Sequence, residues 1–341
     1  MNNKGKCIYG VIDNESRAAD PHLLAPYGVY TVPYKDVSAA VGDSEILDYR
    51  KLPGDVVARG LIEHQVVMEK LMKAFTVIPA RLGTYVLGQD EVMQALTKGY
   101  HVFKDIFEKI QGRIELDIVA TWADLHAVIQ EVSEEEEIKA VKQALFDKKE
   151  GITVDDQMKA GMLIKSCLDK KKHECAGTIK ESLEDLCRNM KEYTMLDDAT
   201  IMNAAFFVDR DMHARFEKRL DELNGTFGGK VRFRCIGPLP PYNFYMLEIE
   251  KLHYDAIERA KEKLSLSAFA TKDDIKKAYK KCASAHHPDK QPDKQNAEAE
   301  AAYTEITNAY RLLSAYCQHD ACSFKKEDFA ENSIIVMVKG Q

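Results

Sequence analysis

Side chains alternate strictly over residues 113–121, with Ile114, Leu116 and Ile118 on one face and Arg113, Glu115 and Asp117 on the other. That period of two predicts a strand buried on one side. Residues 7–13, 28–32 and 37–42 have the β-branched and aromatic content of further strands, the last two separated by Pro33 and Lys35-Asp36. Helical spacing takes over in 56–75, where Val57, Leu61, Val67, Leu71 and Phe75 form the expected inner face, and again in 89–110, which Gly112 stops. Residues 80–87 between these helices read as a strand or an extended loop.

Polar helical character marks 133–194. Glu134 to Glu137 open it, Gly151 interrupts it, and 154–190 continues with Met158, Met162, Ile164, Leu168, Ile179, Leu183 and Leu186 as its apolar positions. This predicts a helical hairpin projecting from the body. The four glutamates fit a solvated first turn that complements the helix dipole better than a binding tail. A strand over 202–209, a helix over 212–224 and an alternating strand over 230–235 follow. The prolines at 238, 240 and 241 predict a rigid extended turn at a sheet edge, because proline cannot donate to a central ladder. A strand over 245–250 comes next, and the apolar run 333–338 is expected to return to the sheet of 202–250 after a helical insertion. The fold class is therefore α+β, with two sheet-containing domains, a helical hairpin between them and a helical insertion before the last strand. The expected boundaries are 1–130, 131–198, 199–252 plus 331–341, and 253–322 for the insertion.

The insertion carries the clearest local signals. Thr271 and Asp274 have the spacing of a capping box for a helix reaching about residue 285, with Ile275, Ala278, Tyr279 and Cys282 as its buried stripe. Lys272, Lys276 and Lys280 recur every four residues on the other side, with Lys277 and Lys281 beside them. Residues 271–290 hold six lysines against three aspartates, a local charge of +3. His286-His287-Pro288-Asp289-Lys290 ends the helix, since Pro288 biases His287 towards an extended backbone. A second helix over 296–316 repeats the period through Ala302, Ile306, Ala309, Tyr310 and Leu313, so the two can pack antiparallel along one seam.

Composition narrows the function. With 341 residues, 45% of them hydrophobic, the chain can bury more than one core. The net charge of -7 gives no basic field for a phosphate backbone, so no nucleic acid partner is expected. No apolar run reaches membrane-spanning length and residues 1–9 lack a signal-peptide core, which predicts a cytoplasmic protein without a membrane partner. The eight cysteines have no C-x-x-C pair and read as reduced thiols. Cys317, His319 and Cys322 offer three soft ligands but no fourth, so no metal is expected. Residues 225–229 are glycine-rich but stand between a helix and a strand, as a helix stop rather than a phosphate loop, and no cofactor is expected. His64, His101, His126 and His213 lie on separate elements with no nucleophile motif nearby, so the chain is expected not to be an enzyme. Arg81 with Thr84 suits either a polar contact site or, for Arg81, an internal tie to an acidic neighbour.

Ile275-Lys276-Lys277-Ala278-Tyr279, His287-Pro288-Asp289-Lys290, Glu305-Ile306 and Asn308-Ala309-Tyr310-Arg311-Leu312-Leu313 resemble a J domain in order and spacing. The resemblance implies that His287, Pro288 and Asp289 engage a DnaK-type chaperone and promote its ATP hydrolysis. It also implies that Lys272, Lys276, Lys277 and Lys280 face an acidic surface on that partner. The first helix of the family is matched loosely over 256–266, and neither a fourth helix nor a Gly/Phe-rich linker follows Tyr316. An ordinary hairpin with a lysine face is the plainer alternative.

The rest of the chain resembles the GvpF/GvpL gas vesicle protein family. The residues that carry this are Tyr9-Gly10-Val11, Ile78-Pro79-Ala80-Arg81-Leu82-Gly83-Thr84, Gly112-Arg113-Ile114-Glu115-Leu116, Asn203-Ala204-Ala205-Phe206-Phe207-Val208-Asp209 and Gly237-Pro238-Leu239-Pro240-Pro241-Tyr242-Asn243-Phe244. The resemblance implies a two-domain α+β fold with a ferredoxin-like N-terminal part, a place at the gas vesicle, and contact with the shell subunit GvpA and other Gvp proteins. The expected function is an assembly protein that binds the hydrophobic shell subunit and recruits a chaperone. A structural minor component with a non-functional hairpin, and a general J-domain cochaperone, stay open beside it.

Overall fold

Three antiparallel strands, β1 (Lys4–Asp13), β2 (Val29–Tyr34) and β3 (Val37–Glu45), with β3 between the other two, open the chain in this computed structural model, which describes residues 4–14, 24–148, 151–285, 296–317, 321–329 and 334–339. Pro33 lies inside β2 rather than ending it. That is possible because β2 is the outermost strand of the order β2-β3-β1-β4, where a missing N–H breaks no central ladder. α1 (Gly54–Ala74) turns Gly60, His64, Val67, Met68 and Leu71 inward, while Leu61, expected on the inner face, is exposed. β4 (Val77–Pro79) and β5 (Tyr85–Val86) both pair antiparallel with β1, and α2 (Gln89–Ile110) has the bounds its periodicity predicts.

The chain divides into two compact units, 1–106 with 246–339, and 107–245. The second unit comprises β6 (Arg113–Trp122), α3 (Leu125–Ser133), α4 (Glu136–Phe146), α5 (Val154–Leu183), β7 (Asn189–Glu192), β8 (Thr200–Asp209), α6 (His213–Thr226) and β9 (Val231–Leu239). Its sheet runs β7-β8-β6-β9, antiparallel throughout. A βαββαβ order with that arrangement is ferredoxin-like, so the topology expected of the N-terminal part is found in 113–239 instead.

The strand at 113–121, placed with 1–130 by the expected boundary, is a central strand of this second sheet. Its alternation reveals a buried face but not which sheet owns it. Of the helices expected as a separate connector over 131–198, α5 covers the same sheet and α4 packs on α5. α5 lies against β8 and α6 and buries Ile179 and Leu183 completely. Residues 189–190, expected to be helical, pair with β8 as part of β7. The glutamates at 134–137 are exposed, as a solvated first turn requires.

Residues 246–339 open with β10 (Met246–Lys251). α7 (Tyr254–Lys263), β11 (Phe269–Thr271), α8 (Lys272–Ala285), α9 (Asn296–Tyr316), β12 (Ala321–Ser323) and α10 (Lys326–Phe329) follow, and β13 (Ile334–Lys339) pairs antiparallel with β10. The last strand returns after the helical insertion, as expected, but only its pairing with β10 falls within 202–250. That pair belongs with residues 1–106, joined by a parallel bridge between Ala80 and Leu247, and not with the sheet of β8 and β9.

Candidate chaperone-docking site

Thr271 closes β11 and caps α8. Its backbone N–H and its hydroxyl donate to Asp274 Oδ2 at 3.0 and 2.7 Å, and the Asp274 N–H returns a bond to the Thr271 hydroxyl at 3.1 Å. The hydroxyl hydrogen bond holds the Asp274 carboxyl below its usual range. This reciprocal box satisfies N–H groups that a helix start leaves open. From that start, Ile275 points into a core built with Ile257 and Ala260 of α7, Leu264 just past its end, and Ile306, Ala309 and Leu313 of α9. Ala278, Tyr279 and Cys282 pack at its margin, as the sequence predicts.

Tyr279 stacks on Tyr310 with ring centroids 4.3 Å apart and 21° between the planes, which fixes the seam of the hairpin. Lys263 Nζ reaches Glu305 at 2.5 Å and ties α7 to α9. Past α9, where the sequence pattern shows no fourth helix, the short β11–β12 ladder, Phe324 and Phe329 of the one-turn helix α10 close the core.

With Ile275 inward, the opposite side of α8 is cationic. Lys272, Lys276, Lys277, Lys280 and Lys281 are all exposed. Among the described residues, Lys276 and Lys280 form no ion pair within the chain, so their charge is available to a partner. His287, Pro288 and Asp289 fall between α8 and α9 and lie outside the described residues, as does His319. The thiols of Cys317 and Cys322 both lie near the Ala270 carbonyl, at 3.9 and 3.5 Å, and no cluster of metal-ligating side chains occurs among the described residues.

Arg81 and Thr84 serve the fold. Thr84 Oγ1 donates to the Arg81 carbonyl at 2.7 Å, Arg81 N–H donates to the Leu247 carbonyl at 3.2 Å, and the guanidinium lies 3.7 Å from Glu248. Glu248, which is buried, also pairs with Lys339. Arg81, Thr84 and Glu248 border an open cleft of about 460 Å³ that Tyr49, Arg50 and Glu250 also line.

Sequence reasoning missed a buried acid in the second unit. Glu115, on the face of β6 expected to be wet, has no exposed surface and accepts two hydrogen bonds from Asn243. Burial pushes the carboxyls of both Glu115 and Asp117 upward. The available signal was the polar Asn243 two residues past the proline cluster, which needs a partner once that segment folds onto a sheet.

The fold and site define an α+β protein of two compact units, one of which carries a J-type hairpin. The chain belongs to the GvpL/GvpF family: residues 5–246 match the family model of the gas vesicle synthesis protein GvpL/GvpF, and residues 262–319 match that of the DnaJ domain. Gas vesicle protein F of Microcystis aeruginosa is 23% identical over 192 residues, covering 55% of this chain and 78% of that protein. The chaperone protein DnaJ of Chlorobium phaeobacteroides is 55% identical over 53 residues, which are 16% of this chain and 13% of that one. The crystal structure of GvpF from Anabaena shares the fold with a TM-score of 0.59 at 22% identity, covering 70% of this chain and 97% of its own. Among the described residues no helix is long and apolar enough to cross a membrane.

Proposed function

We propose that the protein is a gas vesicle assembly factor that binds the hydrophobic shell subunit GvpA and brings a DnaK-type chaperone to it through the J-type hairpin. It acts by binding, with no catalytic step of its own, in the cytoplasm where vesicles form. The supporting observation is the fusion itself: a capped, cationic hairpin with the J-domain residue pattern is part of the same chain as a GvpL/GvpF body. Shell subunits expose apolar surface before they assemble, and transiently exposed apolar surface is where aggregation begins. A chaperone delivered there would hold them in an assembly-competent state.

Replacing His287 by Gln in the full chain tests this reading. Stimulation of the chaperone ATPase should disappear and vesicle yield should fall, with the melting temperature unchanged. Undiminished vesicle formation in that variant would leave the hairpin without a part in assembly and favour a structural component. The full chain is the right material, because a cut at residue 130 would separate β6 from β8 and β9.

A further inference from the structure

Val154, Met158 and Met162 recur every four residues along α5 and are 73%, 60% and 62% exposed. They cover about 12 Å of helix at 1.5 Å per residue, and Phe146 at the end of α4 and Ile152 ahead of α5 are exposed as well. The periodicity of this helix predicted Met158 and Met162 among its packing positions; both are largely exposed instead. Methionine is over-represented on surfaces that receive a partner, because its thioether side chain adapts to the shape it meets.

Charge around the stripe identifies the occupant. Asp155 precedes Ala160 by as many residues as Lys165 follows it, and Met158 and Met162 flank the same point symmetrically. Asp155 and Lys165 are exposed, and neither forms an ion pair among the described residues. At Gly161, beside the midpoint, an added Cβ would meet nothing within 4 Å, so the helix backbone is open to close approach. Two copies of α5 laid antiparallel about a two-fold axis at Ala160 bring Met158 against Met162 of the second copy and Asp155 against Lys165 of the second copy, twice over. A self-complementary patch of this kind is what an isologous interface requires.

We propose that this face of α5 is a self-association surface through which two copies of the chain pair antiparallel. Sedimentation of the full chain over rising concentration reads it out, and the expected result is a doubling of mass. Met158→Glu combined with Met162→Glu should keep the chain monomeric throughout; both positions are exposed, so the fold survives. Asp155→Lys alone and Lys165→Asp alone should each weaken the dimer about tenfold or more, since each sets like charges opposite one another. A mixture of these two single variants should restore pairing, because every Lys then faces an Asp. A wild-type chain that stays monomeric to about 100 μM, a dimer indifferent to the methionine substitutions, or a mixture that fails to recover would each overturn the proposal.

Discussion

Glu115 and Asn243, 128 positions apart, are joined by two hydrogen bonds: the Asn243 backbone N–H reaches the Glu115 carboxylate at 2.8 Å and its side-chain amide reaches it at 2.6 Å. The pair fastens the proline-rich segment after β9 onto β6. Beside it the β6–β9 register shifts between Glu115 and Asp117, and Gly237 fits there because a Cβ would lie 2.6 Å from Leu116 Cδ2. Phe244 follows, buried and stacked on Phe207 at 5.1 Å. A turn that the prolines alone would leave as an edge feature is thus anchored by a buried acid and an aromatic pair.

Removing that acid should therefore destabilise the second unit. Glu115→Ala removes the acceptor of two amide donors of the half-buried Asn243 and should cost about 2 kcal/mol, whereas Glu115→Gln retains an acceptor and should cost about 1 kcal/mol. Because burial raises the carboxyls of Glu115 and Asp117, the folded state binds their protons more tightly than the unfolded chain. Their contribution to stability then falls as pH rises above the ordinary carboxylate range, and Glu115→Gln should flatten that slope. Urea denaturation at several pH values measures both effects; a Glu115→Ala chain as stable as wild type would refute the anchor.

His64 should produce the opposite slope in the first unit. It is buried on the inner face of α1, stacked on Tyr9 at 5.3 Å, and burial pushes its pKa down to about 4. The unfolded chain takes up the proton near pH 6.5 and the folded chain does not, so stability is lost as pH falls from there towards 4. The loss from this group should be on the order of 2–3 kcal/mol, and His64→Phe should remove it while keeping an aromatic ring against Tyr9. The comparison is a pH series of melting curves for the two proteins, in which equal acid slopes would exclude His64 as the cause.

Two helix glycines should respond to alanine with opposite signs. At Gly99 in α2 a Cβ would lie 2.2 Å from the ring of Phe103, which is fully buried, so Gly99→Ala should cost about 1–3 kcal/mol by overpacking. At Gly177 in α5 a Cβ would meet nothing within 4 Å. Gly177→Ala should then gain up to about 1 kcal/mol from helix propensity. Denaturant midpoints of the two variants against wild type decide the matter.

Local rules made the J-type hairpin legible. Its capping box, its inner stripe and the bounds of α9 follow from residues within one or two turns of each other, as do the bounds of α2. Non-local choices were not legible. β6 shows its alternation openly, yet nothing within 113–121 says that its partners are β8 and β9, or that its polar face is covered by a residue 128 positions away. His64 looks polar in sequence and is core in the fold, because a neutral imidazole against Tyr9 can replace an apolar side chain. Met158 and Met162 err the other way: helical period predicts that an apolar stripe packs, but not whether the surface it packs on lies within the chain.

The lysine row of α8 gives the sharpest test of docking, because its members are exposed and their loss should leave the fold alone. Lys276→Glu combined with Lys280→Glu should keep the wild-type melting temperature but lower stimulation of a DnaK-type ATPase at least about tenfold, since close like-charge contacts cost more than 1.4 kcal/mol. Stimulation by the wild-type chain should also weaken as salt rises through the range where screening shortens to about 8 Å and below. Leu313→Ala supplies the contrasting loss. Leu313 is fully buried between α7, α8 and α9, and its truncation should cost about 3 kcal/mol and reduce stimulation by loosening the hairpin itself. The charge-reversed chain must therefore fail with its stability intact, and the truncated chain must fail with it lowered. If the charge-reversed chain stimulated the ATPase as well as wild type, α8 would not be the docking face.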